Sequence, residues 1–171
     1  MPALYLLPAE SRHRTLLRRL YELYAHDFSP MTGAEIGGEG WWTEADFLAG
    51  WPEAGPDIYL FQADGNWAGF AWVGLGSYAT PGLAQHTLME EFFMLRKYRR
   101  HGLGEHFARQ LFDRYPGEWE IGELAANVSA QAFWRRVIGR YTGDRFREAV
   151  VNNEFWTGPV QIFQAGAQRD A

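Results

Sequence analysis

Apolar and polar residues follow two repeating patterns along this chain, one typical of strands and one typical of helices. Alternation with a period of two, or a short apolar run between turn residues, predicts a strand, whereas apolar residues at i, i+3 and i+4 predict a helix. Strands are predicted, in chain order, at 3–7, 58–62, 67–73, 87–95, 118–124, 145–151 and 153–163. Helical stripes are formed by Leu16, Leu17, Leu20, Tyr21 and Tyr24, by Leu103, Phe107, Ala108, Leu111, Phe112 and Tyr115, and by Ala130, Phe133, Trp134, Val137 and Ile138.

Turn and capping residues separate these elements. Ser11 is expected to cap the first helix, and Asp64-Gly65 predicts a hairpin because this dipeptide accepts the positive φ angles of a two-residue turn. Residues 28–52 are rich in Gly and aromatic residues, and the pattern Thr43-x-x-Asp46 within them predicts a short helix. Residues 165–171 are expected to form a frayed tail.

The order of these elements predicts a fold of the α/β (α+β) class. We expect a mixed, mostly antiparallel sheet of about seven strands with helices on both faces. A length of 171 residues suits one domain over 1–171, because the chain can bury a substantial core but is short for two domains.

A basic, Gly-containing turn joins the fourth predicted strand to the second helix. Gly102 and Gly104 allow a ligand to approach the backbone closely, and the helix that begins there presents unpaired N–H groups and the positive end of its dipole. The basic side chains around the turn are Arg96, Lys97, Arg99 and Arg100. This arrangement is typical of a phosphate-binding site.

A second segment of interest follows the fifth predicted strand. Asn127-Val128-Ser129-Ala130 leads into the last helix, where an aromatic pair follows. Asn127 suits either a ligand contact or a helix cap, and the two roles are compatible. Ser129 is an alternative cap, which would leave Asn127 free for a ligand.

The pattern Arg99-x-x-Gly102-x-Gly104 after a strand resembles the acyl-CoA signature of the GNAT family of N-acetyltransferases, and the Asn127 segment resembles the second signature of that family. The resemblance covers residues 58–163 and is strongest over 90–141. It implies the fold predicted above and acetyl-CoA as the cosubstrate. The residues implied at the cofactor are Phe93, Met94, Arg99, Arg100, His101, Gly102, Leu103, Gly104, Asn127, Ala130, Phe133 and Trp134.

The fourth strand carries the residue that is expected to take the proton from the amine. Acetyl transfer to an amine requires removal of a proton, and strict alternation allows only one of Glu90 and Glu91 to face the cleft. The run from Met89 to Met94 is similar to the fourth strand of diamine N-acetyltransferases, which implies that Glu90 serves the amine. The resemblance also implies a bulge in this strand and a thioester carbonyl polarised by the backbone N–H of Met94.

The general acid is less well defined. Many family members have a tyrosine seven residues after the Asn, where this chain has Trp134. Tyr141 is the expected substitute and Tyr98 an alternative. A thiol has a pKa near 8.5, so the thiolate can also leave without an acid.

The acceptor site is expected between the loop after the first helix and the far end of the sheet. Aromatic and acidic side chains there suit a cationic amine. The residues expected to line this site are Tyr24, His26, Asp27, Trp41, Trp42 and Glu90.

Composition narrows the classes of function. A net charge of −5 and the absence of a basic stripe argue against nucleic-acid binding, and the absence of cysteine excludes an acyl-cysteine intermediate. No apolar run is long enough to span a membrane, so a cytoplasmic protein is expected. The histidines form no metal constellation, and we expect no metal. The expected partner is a small-molecule amine, without nucleic acid or membrane, and a homodimer is compatible with the sequence.

Two alternatives stay open at this point. A non-catalytic acyl-CoA-binding module would keep the turn but lack the acid, which Trp134 favours and Glu90 opposes. A binding site for a nucleotide or another anionic cofactor would use the same turn, but the Asn127 segment argues against it.

Overall fold

The computed structural model describes residues 2–42, 48, 51–53 and 56–166. Its elements are Leu4–Pro8 (β1), Arg14–Thr32 (α1), Asp57–Ala63 (β2), Asn66–Gly76 (β3), His86–Met94 (β4), Leu103–Arg114 (α2), Gly117–Gly122 (β5), Val128–Thr142 (α3), Phe146–Asn152 (β6) and Thr157–Ala165 (β7). The predicted mixed α/β sheet with helices on both faces is confirmed.

Within the described residues the sheet has seven strands in the order β1-β2-β3-β4-β5-β7-β6. All neighbouring pairs are antiparallel except β4 and β5, which are joined by α2 and run parallel. The hairpin between β2 and β3 forms where Asp64-Gly65 predicts it, with φ of 49° and 74° at these two residues. A local sequence signal therefore sets this turn.

Each face of the sheet carries its own apolar core. On one face α1 packs Leu17 and Leu20 against strand residues that include Phe70 and Phe93. On the other face α2 and α3 bury Phe107 and Trp134, among others, against the strands. Each fully buried side chain of this size contributes about 1.5–3 kcal/mol, so the two cores hold the helices firmly on the sheet.

The centre of the sheet opens between β4 and β5. These strands pair over only three positions, Thr87 to Met89 of β4, while β4 continues to Met94. β5 ends at Gly122, one residue after its last paired position with β4, and its other edge pairs with β7 along its whole length. A gap therefore lies between the second half of β4 and the end of β5, and α2 and α3 begin on the same side of the sheet.

α1 differs from its predicted form at both ends. Glu10, and not Ser11, is the N-cap of the short 3-10 turn that precedes α1. The His13 N–H donates to the Glu10 carbonyl at 2.7 Å, and the Glu10 N–H donates to Nδ1 of His13 at 3.0 Å. The helix continues past Pro30 to Thr32 and ends at Gly33, which has φ of 71°. Proline removes a backbone donor, and the Ser29 hydroxyl replaces it by donating to the carbonyl of His26 at 2.8 Å.

Two other predictions fall partly or wholly outside the described residues. The short helix expected at Thr43-x-x-Asp46 lies outside them, as do residues 167–171 of the expected tail. Ala165, at the start of that tail, is the last residue of β7 and is buried. Among the helices that the structure describes, none combines the length and the apolar character needed to cross a membrane.

Candidate active site

The turn before α2 presents a series of unpaired amides. The first hydrogen bond of α2 runs from the N–H of His106 to the carbonyl of Gly102, and no side chain caps the helix. The N–H groups of residues 100–105 have no backbone partner within the described part of the chain. Six successive donors at the positive end of a helix dipole have the arrangement that is typical of a phosphate-binding site.

The backbone conformation at residue 102 explains why this position is a glycine. Gly102 is the N-cap of α2 in the left-handed region, with φ of 78°, and a Cβ built there would meet nothing within 4 Å. Arg100 also has a positive φ, 65°. Two left-handed residues in three turn the chain sharply enough to aim its amides at one point, and Gly102 adopts this conformation without strain.

Packing explains Gly104. A Cβ at this position would lie 3.3 Å from the ring of Phe133 and 3.7 Å from the ring of Phe92. The small residue therefore lets the first turn of α2 approach both β4 and α3. Phe133 thus lies against the turn, while Trp134 is buried in the core and packs edge-to-face on Phe92 at 5.0 Å between centroids.

Backbone donors of β4 face the gap. The N–H of Leu95 donates to Ala68 of the β3 side at 2.8 Å, and the carbonyl of Phe93 also points to β3, at Gly69. Because successive residues of a strand direct their amides to opposite sides, the N–H groups of Phe92 and Met94 point into the gap. The Met94 amide therefore has the direction that the sequence analysis expects.

Asn127 caps α3. Its Oδ1 accepts from the N–H of Ala130 at 3.1 Å and from the hydroxyl of Ser129 at 3.1 Å. Ser129 is therefore not the cap, and the arrangement that would free the Asn127 carbonyl is not present. The Asn127 amide nitrogen has no partner among the described residues, so it is free to donate to a ligand.

The bulge in β4 lies at Glu90. Trp72 of β3 pairs with Glu91, and the next residue, Val73, pairs with Met89, so Glu90 is the extra residue. A bulge interrupts the strict alternation of side chains. Glu90 and Glu91 can therefore both face the cleft, contrary to the expectation that only one of them does. Glu90 and Glu91 form what we call the acid pair.

The two members of the acid pair have different surroundings. Burial raises the pKa of Glu91 to about 7; a hydrogen bond from Tyr24 opposes the shift and the charge of Glu90 adds to it. Glu90 is exposed, and partial burial raises its pKa above the usual value. Tyr78 lies close enough to both acids for their charges, after burial, to raise its pKa.

Sequence analysis missed Tyr78. Its loop is held by Glu120, whose side chain is fully buried and accepts from the Ser77 hydroxyl at 2.6 Å, the Tyr78 N–H at 2.7 Å and His86 Nδ1 at 2.7 Å. One feature of the sequence could have indicated this loop: Glu120 is an acidic residue between two apolar ones, Trp119 and Ile121, inside a predicted strand. Such a residue needs several donors when buried, and here most of them come from the loop after β3.

The contacts of the expected general acids, Tyr141 and Tyr98, are with residues outside the acid pair. Tyr141 donates to Asp113 at 2.8 Å, near the C-terminal end of α2. Asp113 is ten residues after Leu103, which places it about 15 Å along the helix from the turn. Tyr98 lies just before the turn, half-buried, with the Lys97 ammonium 5.4 Å from its ring centroid.

The expected acceptor residues divide into three groups. Tyr24 contacts the acid pair through Glu91. Asp27 is held by ion pairs with Arg96 and Arg99. The third group lies in an open groove of about 390 Å³ on the flank of α1 that faces away from the core, lined by Glu22, Leu23, His26, Gly40, Trp41 and Trp42. Helical spacing places Glu22 and His26 on a different side of α1 from Tyr24, so this groove is not brought together with the acid pair.

No cluster of three or more His, Asp or Glu side chains suited to a metal ion is found among the described residues.

The sequence and the fold of this chain are both similar to those of known proteins. Residues 17–139 match the model of the acetyltransferase (GNAT) family. Among curated protein sequences, none matches the chain. The fold resembles that of an acetyltransferase from Thermus thermophilus (TM-score 0.64, 17% identity, 95% of this chain and 97% of that one). It also resembles the fold of the Escherichia coli ribosomal-protein-S18-alanine N-acetyltransferase (TM-score 0.61, 14% identity, 99% of each chain).

A third similar structure, from Salmonella typhimurium, contains acetyl-CoA (0.60, 14%, 98% and 96%). At these identities the structures establish the fold, and the matched family model covers most of the chain, including the turn, the gap and the acid pair. This chain belongs to the acetyltransferase (GNAT) family.

Proposed function

We propose that the protein transfers the acetyl group of acetyl-CoA directly to the primary amine of a small cationic acceptor. The observation that carries this proposal is the row of unpaired amides at residues 100–105 beside a gap in the sheet. The acetyl-CoA in the Salmonella typhimurium structure supports the same choice of cosubstrate.

The turn and the gap would hold the two ends of the donor. The amides of residues 100–105 would hydrogen-bond the phosphates, and the free amide nitrogen of Asn127 would donate to the pantetheine arm. Acetyl-CoA, when bound, supplies the acetyl group as a reactive thioester. The N–H of Met94, which points into the gap, would stabilise the negative charge that develops on the thioester carbonyl oxygen.

The acid pair would take the proton from the amine. An alkyl ammonium has a pKa near 10.4, so most of the acceptor carries a proton at neutral pH. Glu90 is exposed at the bulge and is the residue we assign to this step, directly or through one water. Glu91 is half-buried and lies beside Tyr24, so it is less accessible to an acceptor than Glu90.

Two features favour a cationic acceptor. Two neighbouring carboxylates attract a positive charge, and Tyr24 and Tyr78 supply aromatic faces near them. The similarity of the fourth strand to diamine N-acetyltransferases is in agreement with this choice. The name of the Escherichia coli relative refers to a protein alanine, so a peptide N-terminus is the acceptor to test against it.

The thiolate would leave without a dedicated acid. Trp134 stands where many relatives have a tyrosine and is buried, and the Tyr141 hydroxyl donates to Asp113. A thiol pKa near 8.5 makes the thiolate a sufficient leaving group near neutral pH. The same Trp134 favours the second candidate function, a module that binds acyl-CoA without turnover.

An amine panel tests the proposal. Release of the CoA thiol would be followed with a diamine, an aminoglycoside, a neutral amino sugar, an amino acid and an alanine-ended peptide. We expect the diamine to react best. Its KM should rise with salt concentration, because salt screens the attraction between the acceptor cation and the acid pair, with a Debye length of about 10 Å at 0.1 M. A peptide or neutral amine that reacts better, without salt dependence, would reject the acceptor class. Acetyl-CoA binding without thiol release for any amine would favour the non-catalytic module.

A further inference from the structure

The side chain of Arg99, in the turn before α2, forms hydrogen bonds with other parts of the protein. Its Nε donates to the carbonyl of Met94 at 2.6 Å, and its Nη2 donates to the carboxylate of Asp27. The guanidinium also lies over the ring of Phe93, 5.4 Å from its centroid. Arg99 therefore connects three parts of the molecule: the turn, the end of β4 and α1.

Asp27 sits near the C-terminal end of α1, and its side chain is only 13% exposed. Besides Arg99 on Oδ2, it receives Nε and Nη2 of Arg96 on Oδ1, at 3.1 and 2.7 Å. Both carboxylate oxygens are thus used, and the charge is balanced by two cations. A carboxylate in this state is poorly suited to attract a substrate amine, but it is well suited to fix the orientation of Arg99.

We propose that Asp27 is a positioning residue for the acetyl-CoA site, acting through Arg99 on the end of β4. This inference rests on the proposed function. The carbonyl of Met94 that Arg99 holds belongs to the same residue whose N–H points into the gap. Arg99 also directly precedes the amides of residues 100–105. By fixing one guanidinium, Asp27 holds the thioester end and the phosphate end of the donor site at a set distance from each other.

The alternative is that Asp27 and Arg99 form an ordinary surface ion pair with little effect on acetyl-CoA binding. Exposed pairs typically contribute less than about 1 kcal/mol, and the Arg96 side chain is largely exposed. The Asp27–Arg99 pair differs because the carboxylate is mostly buried and the same guanidinium holds a strand carbonyl. The two views predict different binding constants for acetyl-CoA.

Calorimetric titration of acetyl-CoA into Asp27→Asn distinguishes them. This substitution keeps the shape of the side chain and removes its charge. We expect the acetyl-CoA dissociation constant to rise about tenfold, while the acceptor KM stays within about twofold. The matched control is Glu148→Gln, which weakens a similar two-point pair with Arg135 away from the turn. Its acetyl-CoA affinity should remain that of the wild type.

A second variant protects the test if Asp27→Asn fails to fold. Arg99→Lys keeps a cation for Asp27 but lacks the planar fork that bonds two acceptors in fixed directions. It should weaken acetyl-CoA binding to a similar degree, and Asp27→Asn combined with Arg99→Lys should cost no more than Arg99→Lys alone.

Several outcomes would overturn the inference. Unchanged acetyl-CoA affinity in Asp27→Asn would do so, as would additive losses in the double variant. A rise in acceptor KM with unchanged acetyl-CoA affinity would show that Asp27 serves the acceptor directly. If the wild-type protein itself does not bind acetyl-CoA, the proposed function fails as well, and the two failures are thereby distinguished.

Discussion

At the scale of single residues, the bulge in β4 places two carboxyl groups next to each other with unequal exposure. Glu90 is exposed, while Glu91 is half-buried and lies beside Tyr24. The two acids are adjacent in sequence and similar in chemistry, so their environments decide their roles. The difference can be measured by substituting each with its amide.

Glu90→Gln should lower kcat/KM about 100-fold, because it removes a base and keeps the shape. Glu91→Gln should reduce the rate less, since Glu91 acts at a distance from the amine. The assay is thiol release with saturating acetyl-CoA. A larger loss for Glu91→Gln, with Glu90→Gln near the wild type, would mean that the deeper carboxylate is the base.

Glu123 offers a stability prediction away from the chemistry. It follows β5, is 4% exposed, and burial raises its pKa to about 8 from a usual value of 4.5. The folded state therefore binds this proton more tightly than the unfolded state, and stability falls as pH rises from about 5 through about 8. Replacing Glu123 with Gln removes the titration and should raise the unfolding free energy at pH 9 by about 1–3 kcal/mol relative to the wild type.

Urea unfolding at pH 5 and pH 9 measures this effect, and at pH 5 the two proteins should differ little. Glu148→Gln is a control of opposite sign. Its pKa is lowered by the hydrogen bond from Arg135, so the stabilisation of Glu148 is lost as pH falls. Equal effects of Glu123→Gln at both pH values would contradict the account.

At the scale of elements, α2 and the turn before it depend on two glycines for different reasons. Gly102 requires its backbone conformation, and Gly104 requires space beside Phe133. Gly102→Ala should cost about 1–2 kcal/mol through the left-handed φ and should weaken acetyl-CoA binding through the displaced amides. Gly104→Ala should mainly affect packing, because Phe133 can move by a few tenths of an ångström.

Denaturant unfolding and calorimetry on both variants test this distinction. Gly102→Ala is expected to lose more acetyl-CoA affinity than Gly104→Ala at comparable stability. The reverse order would place the phosphate contact nearer to Gly104 than the unpaired amides indicate.

Local sequence signals predicted the strands, the hairpin and the turn before α2. Asp64-Gly65 and Gly102 specify their backbone angles themselves, so no distant contact is needed. The bulge at Glu90 and the gap after Met89 could not be predicted from alternation, because register depends on partner strands far away in sequence. Asp27 was expected to line the acceptor site. Its ion pairs with Arg96 and Arg99 could not be predicted, because these arginines lie about 70 residues later and become its neighbours only in the fold.

At the scale of the whole molecule, the sheet is a frame that opens at its only parallel pair within the described residues, β4 and β5. α2 and α3 begin beside this gap on one face, and α1 brings Tyr24 and Asp27 from the other. The donor site is therefore built from both faces of the sheet. Acetyl-CoA bound at this site must contact the turn and the gap at the same time.

Amide NMR shifts on titration with acetyl-CoA test this requirement most directly. The amides of residues 100–105, together with those of Phe92 and Met94, should show the largest changes, while the groove around Trp41 and Trp42 should change little. Shifts concentrated in that groove, or no shifts at all, would contradict the assignment of the acetyl-CoA site.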